Sequence, residues 1–171
     1  MKFKFTKDNE LRQLPTRATE GSAVYDLYVP KDTVVKRGRN VIPLGFCVEL
    51  DPHTAAEVHP RSGYSSKGME GYEIISKTQR AENGCCGLVE VGQYANLEKT
   101  RMNADVIFGL IDEDYRGECG VIINNHECEF LLKKGDRIAQ MLIVPVFSES
   151  MEIVDELSPS NRKGGFGSTN Q

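Results

Sequence analysis

NVIPLGFCVEL, residues 40 to 50, decides the fold class. It is rich in the β-branched and aromatic types that suit a pleated, half-buried surface, and similar stretches recur on both sides of it. KFKFT (2 to 6), VYDLYV (24 to 29) and TVVKR (33 to 37) precede it; VIFGLI (106 to 111), GVIIN (120 to 124), CEFLL (128 to 132) and IAQMLIVPVF (138 to 147) follow. Gly, Asp, Asn and charged residues between them supply turns. Many short strands in one unit predict an all-β sandwich or jelly roll. Helix is the minor component, with room for a short one in 67 to 80 or 93 to 102.

The 171 residues suffice for one sizeable core, taken as residues 1 to 157. Two regions break the strand pattern. Residues 71 to 104 mix glycine, charge and isolated apolar residues, as an excursion between two strands would. From Ser158 to Gln171 the chain is too poor in apolar residues to bury itself, and it reads as a flexible C-terminal arm. Set against 25 acidic residues, the 21 basic ones leave a net charge of -4, which argues against broad nucleic-acid binding but leaves room for a polyanionic small ligand. No apolar run is long enough to span a bilayer, and MKFKFTKDNE lacks the apolar core of a signal peptide. Five cysteines, two of them adjacent (Cys85 and Cys86), do not form a secreted disulfide framework or a zinc pattern. These features predict an intracellular protein, in cytoplasm or nucleus. His53, His59 and His126 show no ligand spacing and are read as loop or surface residues.

The chemistry-bearing string is GLIDEDYRGE, 109 to 118. Read alone, four carboxylates, an aromatic and an arginine make an ordinary charged turn, and PRSG (60 to 63) is a common loop. Read in order with SAVYDL (22 to 27), HPRSGYSSKG (59 to 68), KGDRIAQMLI (134 to 143) and KGGFGST (163 to 169), it resembles the five motifs of the all-β deoxyuridine triphosphatase family.

That resemblance implies a homotrimer of jelly-roll subunits with shared active sites, hydrolysing dUTP to dUMP and pyrophosphate with Mg2+ held by substrate phosphates and water rather than by protein ligands. In it, Asp112 orients and deprotonates the attacking water at the α-phosphorus. Arg61, Ser62 and Gly63 form a phosphate-binding turn, aided by Gln140 and by Arg162, Ser168 and Thr169 of the arm. Gly109, Leu110 and Ile111 wall the uracil, Tyr115 packs on the deoxyribose, and Phe166 stacks on the base. Asp26 supports the site from behind. Glu113 and Asp114 are assigned to solvent or structural partners, and Asp136 with Arg137 to a structural ion pair.

The chain departs from the family pattern in places. Val24 and Val106 stand where glycine and asparagine are usual. Asn161 holds the strict place of the arm arginine, leaving Arg162 or Lys163 to take its contact, and Asn170 replaces a glycine. The largest departure is an insertion over about 72 to 102, either a neutral surface elaboration or an element that binds a protein partner. Two other readings compete with the hydrolase: a dCTP deaminase of the same fold, and a regulatory binding protein acting through the insertion.

Overall fold

The computed structural model describes residues 1 to 80, 88 to 95 and 98 to 161, with side chains excepted at 76 to 80 and 88 to 95. Its strands are β1 (Lys2–Phe5), β2 (Val24–Tyr28), β3 (Thr33–Val35), β4 (Gly38–Glu49) and β5 (Thr54–His59). A single turn and a half of helix, α1 (Ser62–Lys67), precedes β6 (Met69–Arg80), β7 (Leu88–Ala95) and β8 (Thr100–Met102). The rest are β9 (Ala104–Ile107), β10 (Gly109–Ile111), β11 (Glu118–Asn125), β12 (Phe130–Leu132) and β13 (Arg137–Pro145).

Antiparallel pairing arranges them in three sheets: β1-β4-β11-β9, β10-β5-β13-β2, and β3-β12-β6-β7 with β8 on β6. Period-two alternation explains the packing. Along β11, Cys119, Val121, Ile123 and Asn125 are buried while the residues between them face outward; along β4, Ile42, Leu44, Phe46 and Val48 point in. These meet Leu27, Val29, Val58, Phe130, Ile138 and Met141 in one core. Each such side chain, fully buried, contributes roughly 1.5–3 kcal/mol.

The all-β expectation holds, but neither helix window does. Residues 74 to 80 and 88 to 95 pair antiparallel, Ile74 opposite Ala95 and Ile75 opposite Tyr94, and residues 100 to 102 pair with the start of β6. Sheet neighbours satisfy the backbone there, so helix has no advantage. The helix lies instead in the predicted phosphate turn, anchored by buried Tyr64 and stopped at Gly68, whose φ is 84. β5 is an additional strand: TAAEVH has weak strand propensity but is held between β10 and β13.

Candidate active site

The sheet β10-β5-β13-β2 positions most of the predicted residues, because directly opposed residues on neighbouring strands point to the same face. Asp26 on β2 is opposite Gln140 on β13, and Gln140 is opposite His59 on β5. They form a polar row, and Arg61 follows two residues after His59, just ahead of α1.

The hub of this row is Asp26, whose side chain is only 5% exposed. Its carboxylate lies 3.2 Å from an Arg137 guanidinium nitrogen and 3.5 Å from Arg61 Nε, and it accepts a 3.4 Å bond from the Gln140 amide. Two cations around one anion leave a net positive charge beside the helix start, where the first backbone N–H groups lack intrahelical partners. Arg61 Nε is buried, and among the described residues it has no hydrogen-bond acceptor. The Arg61 guanidinium lies over the Tyr64 ring, 5.1 Å from its centre. Tyr64 donates 2.5 Å to the Arg137 carbonyl, and burial pushes its phenol pKa up. A Cβ built at Gly63 would meet nothing within 4 Å, so the protomer itself does not demand glycine there.

Asp136 and Arg137 do not pair with each other. Successive residues entering a strand point to opposite sides. Asp136 accepts the Lys133 N–H at 2.8 Å and holds the Lys99 ammonium at 2.6 Å, while Arg137 turns to Asp26. Burial would lower the pKa of Lys99, but the hydrogen bond and charge of Asp136 outweigh it and raise it overall.

Gly109, Leu110, Ile111 and Tyr115 border a cavity of about 500 Å³, together with Phe108 and Val58. Leu110 and Phe108 are half-exposed on its rim, whereas Ile111 also belongs to the core. Val106 is buried in the core and offers no side chain to a base, and Val24 is not among the positive-φ residues, so its replacement of glycine is unstrained. The Tyr115 hydroxyl donates to the Glu118 carbonyl at 3.0 Å, which fixes its ring. Asp112 follows β10 directly and is exposed; its carbonyl accepts the Tyr115 N–H at 3.1 Å, closing a turn. Among the described residues its carboxylate has no hydrogen-bond or ion-pair partner and is free to take one. Arg162, Lys163, Phe166, Ser168 and Thr169 lie outside the described residues.

Of the histidines, His53 is exposed in a loop and His126 is exposed beside Asp105. His59 is not a loop residue. It is half-buried on β5, 2.8 Å from Glu57 and edge-on to Phe108.

The arrangement divides into two halves. Ile111 pairs with Ala56, so Asp112 and Arg61 leave the β5-β10 ladder at opposite ends. Six residue steps at about 3.3 Å put them roughly 20 Å apart within one protomer.

The family model described as dUTPase matches residues 11 to 85 and 98 to 170. A deoxyuridine 5'-triphosphate nucleotidohydrolase of Clostridium acetobutylicum is 37% identical over 170 residues, covering 98% of this chain and 95% of its own. Among solved structures, a point mutant of the Staphylococcus bacteriophage 80alpha dUTPase with dUpNHpp superposes with a TM-score of 0.70 at 21% identity, covering 98% of this chain and 96% of that one. A mutant dUTPase from phage phi11 of S. aureus, described with a structural Mg(II) ion, gives 0.63 at 18% identity, covering 91% and 98%. These two likenesses establish fold alone.

Proposed function

The chain belongs to the dUTPase family and is a dUTP-hydrolysing enzyme, and from that premise we propose that it cleaves dUTP to dUMP and pyrophosphate with Mg2+, limiting uracil in DNA and supplying dUMP. Asp112 takes a proton from water as the water oxygen bonds to the α-phosphorus, and the bond from that phosphorus to the oxygen bridging to the β-phosphate breaks. Arg61, Gln140 and the amides and hydroxyl of Ser62 and Gly63 receive the phosphates. The Arg61 side chain supports this: its Nε faces Asp26 at 3.5 Å while 22% of the side chain stays exposed, which leaves the guanidinium able to meet an anionic oxygen. Tyr115 excludes a 2'-hydroxyl and Gly109 to Ile111 read the base.

Mg2+ usually binds through one or two carboxylates together with phosphate oxygens and water. An ion held by the substrate phosphates and water would meet the protein through water, and the uncommitted carboxylate of Asp112 fits that habit. When bound, the ion offsets phosphate charge and fixes the triphosphate in line.

The single observation that carries the reading is the division of the site. A group that activates water cannot act on a phosphate held roughly 20 Å away. We therefore assign the Asp112 half and the Arg61 half of each site to different chains of a homotrimer. The segment after β13 supports assembly: Phe147 is 84% exposed, Met151 102%, Ile153 101% and Leu157 87%, an apolar run that a partner would cover. Residues 158 to 171, with Arg162 or Lys163, Phe166, Ser168 and Thr169, then close the site as an arm beyond the 1 to 157 domain. Residues 86 to 97 are unmatched by the family model and lie inside the proposed 72 to 102 insertion, a candidate protein-binding element. An enzyme for a highly charged nucleotide that does not cross membranes belongs inside the cell, in cytoplasm or nucleus.

Pyrophosphate release with dUTP, dTTP, dCTP and UTP, with and without Mg2+, tests the proposal. Release from dUTP alone, dependent on the ion, is expected. Equal release from UTP, or ammonia from dCTP without pyrophosphate from dUTP, would overturn it.

A further inference from the structure

Glu113 is not a mere solvent-facing neighbour of Asp112. Its carboxylate accepts the backbone N–H of His53 at 2.7 Å, across sixty residues of chain. His53 lies in the β4–β5 turn with φ 60, in the left-handed region that residues with a side chain enter at a cost and keep only when their surroundings hold them. Both sides of its peptide framework are held. Its N–H goes to Glu113, and its carbonyl accepts the Val146 N–H at 2.8 Å, the first residue past β13 and the root of the exposed C-terminal segment.

Apart from Glu118, which at the start of β11 accepts the Gly45 N–H at 3.1 Å and the Thr6 hydroxyl at 3.3 Å, the other hydrogen bonds of the turn among the described residues close on the turn itself. Arg116 donates to the carbonyls of Glu113 at 2.6 Å and Tyr115 at 3.0 Å, and Tyr115 donates to the Glu118 carbonyl. They stiffen residues 112 to 118 from within, and the Glu118 contacts anchor only the β11 end of the turn. The Glu113 side chain reaches a different element. It also turns one of three successive carboxylates away from the other two, which repel one another in a run such as Asp112, Glu113, Asp114.

We propose that Glu113 is a positioning residue for the reaction: through the N–H of His53 it fixes the Asp112 turn against the β4–β5 turn, and so in register with the root of the C-terminal segment. The inference rests on the assignment of Asp112 as the base. What it adds is a mechanical frame in which one residue, His53, through its N–H on one side and its carbonyl on the other, orients both the base and the departure point of the arm. Since small misplacements of a reacting group cost rate more than they cost ground-state binding, the effect belongs in kcat.

Because glutamine keeps the acceptor oxygen and loses only the charge, it separates positioning from acid-base chemistry. Steady-state kinetics of pyrophosphate release from dUTP would be measured on full-length wild type, Glu113→Ala, Glu113→Gln, His53→Gly and Asp112→Asn. We expect Glu113→Ala to lower kcat about three- to tenfold with KM within about twofold. Glu113→Gln and His53→Gly, which keep the bond, should stay within about twofold of wild type. The proposal is overturned if Glu113→Ala keeps wild-type kcat, if its loss appears in KM alone, or if Glu113→Gln falls as far as Glu113→Ala. Wild type inactive on dUTP, or Asp112→Asn fully active, would instead sink the function on which the inference rests.

Discussion

Replacing Asp26 with asparagine separates the charge of the hub from its shape. The side chain stays the same size, and its amide oxygen can still accept from Gln140 or Arg137. What disappears is the anion between Arg61 and Arg137, which approach to 3.5 and 3.2 Å. Removing one partner of a buried ion pair costs roughly 3–5 kcal/mol when all groups are dry. Here the carboxylate is 5% exposed but the two arginine side chains are 22% and 48% exposed, so water recovers part of that cost. The expected loss is about 2 kcal/mol. For a chain of this length each 1 kcal/mol moves Tm by about 2–4 °C, giving a fall of about 4–8 °C by calorimetry, with assembly held constant by working at one protein concentration. The same change frees Arg61 to wander from the phosphate site, so KM for dUTP should rise several-fold. If D26N melted within a degree of wild type and kept its KM, the description of Asp26 as the charge that holds Arg61 in place would be wrong.

Asp112→Asn should lower turnover by about 10²–10⁴-fold while a direct titration with a non-hydrolysable dUTP analogue shows unchanged affinity; equal loss of affinity would move Asp112 into binding. Gly71→Ala would bring a methyl to 2.4 Å from the Phe130 ring, which is buried in the core, so it should cost about 1–3 kcal/mol in chemical denaturation. Burial pushes the Cys119 thiol up to about 12. Below that pH it stays protonated and unreactive, so at pH 8 a thiol reagent should label exposed Cys128 well before Cys119, as peptide mass spectrometry would read out.

Strands such as NVIPLGFCVEL and IAQMLIVPVF were legible because β-branched residues and turn punctuation are local signals. β5 was not, since TAAEVH becomes a strand only through β10 and β13 on either side of it. Nor was α1, whose six residues are too few to show a helical period and whose anchor, Tyr64, finds its partner at Arg137. In the site, the order of motifs singled out Asp112, Arg61, Gln140 and Asp26, and the structure collects the last three around one carboxylate. The partners of Asp136, Arg137 and Glu113 were hidden for a common reason: each lies on an element distant in sequence, and side-chain chemistry alone does not say which backbone N–H will face it. A positive φ at His53 leaves no trace in the residue type.

The opposite departures of Asp112 and Arg61 from the β5-β10 ladder bear on inheritance as well as chemistry. In the proposed ring of three, where every chain would lend its water-activating end to one neighbour and its anion-gripping end to the other, a chain defective at both ends would silence two centres, not one. A damaged allele would then harm the healthy product it assembles with, and a cell carrying both would retain less activity than gene dosage implies.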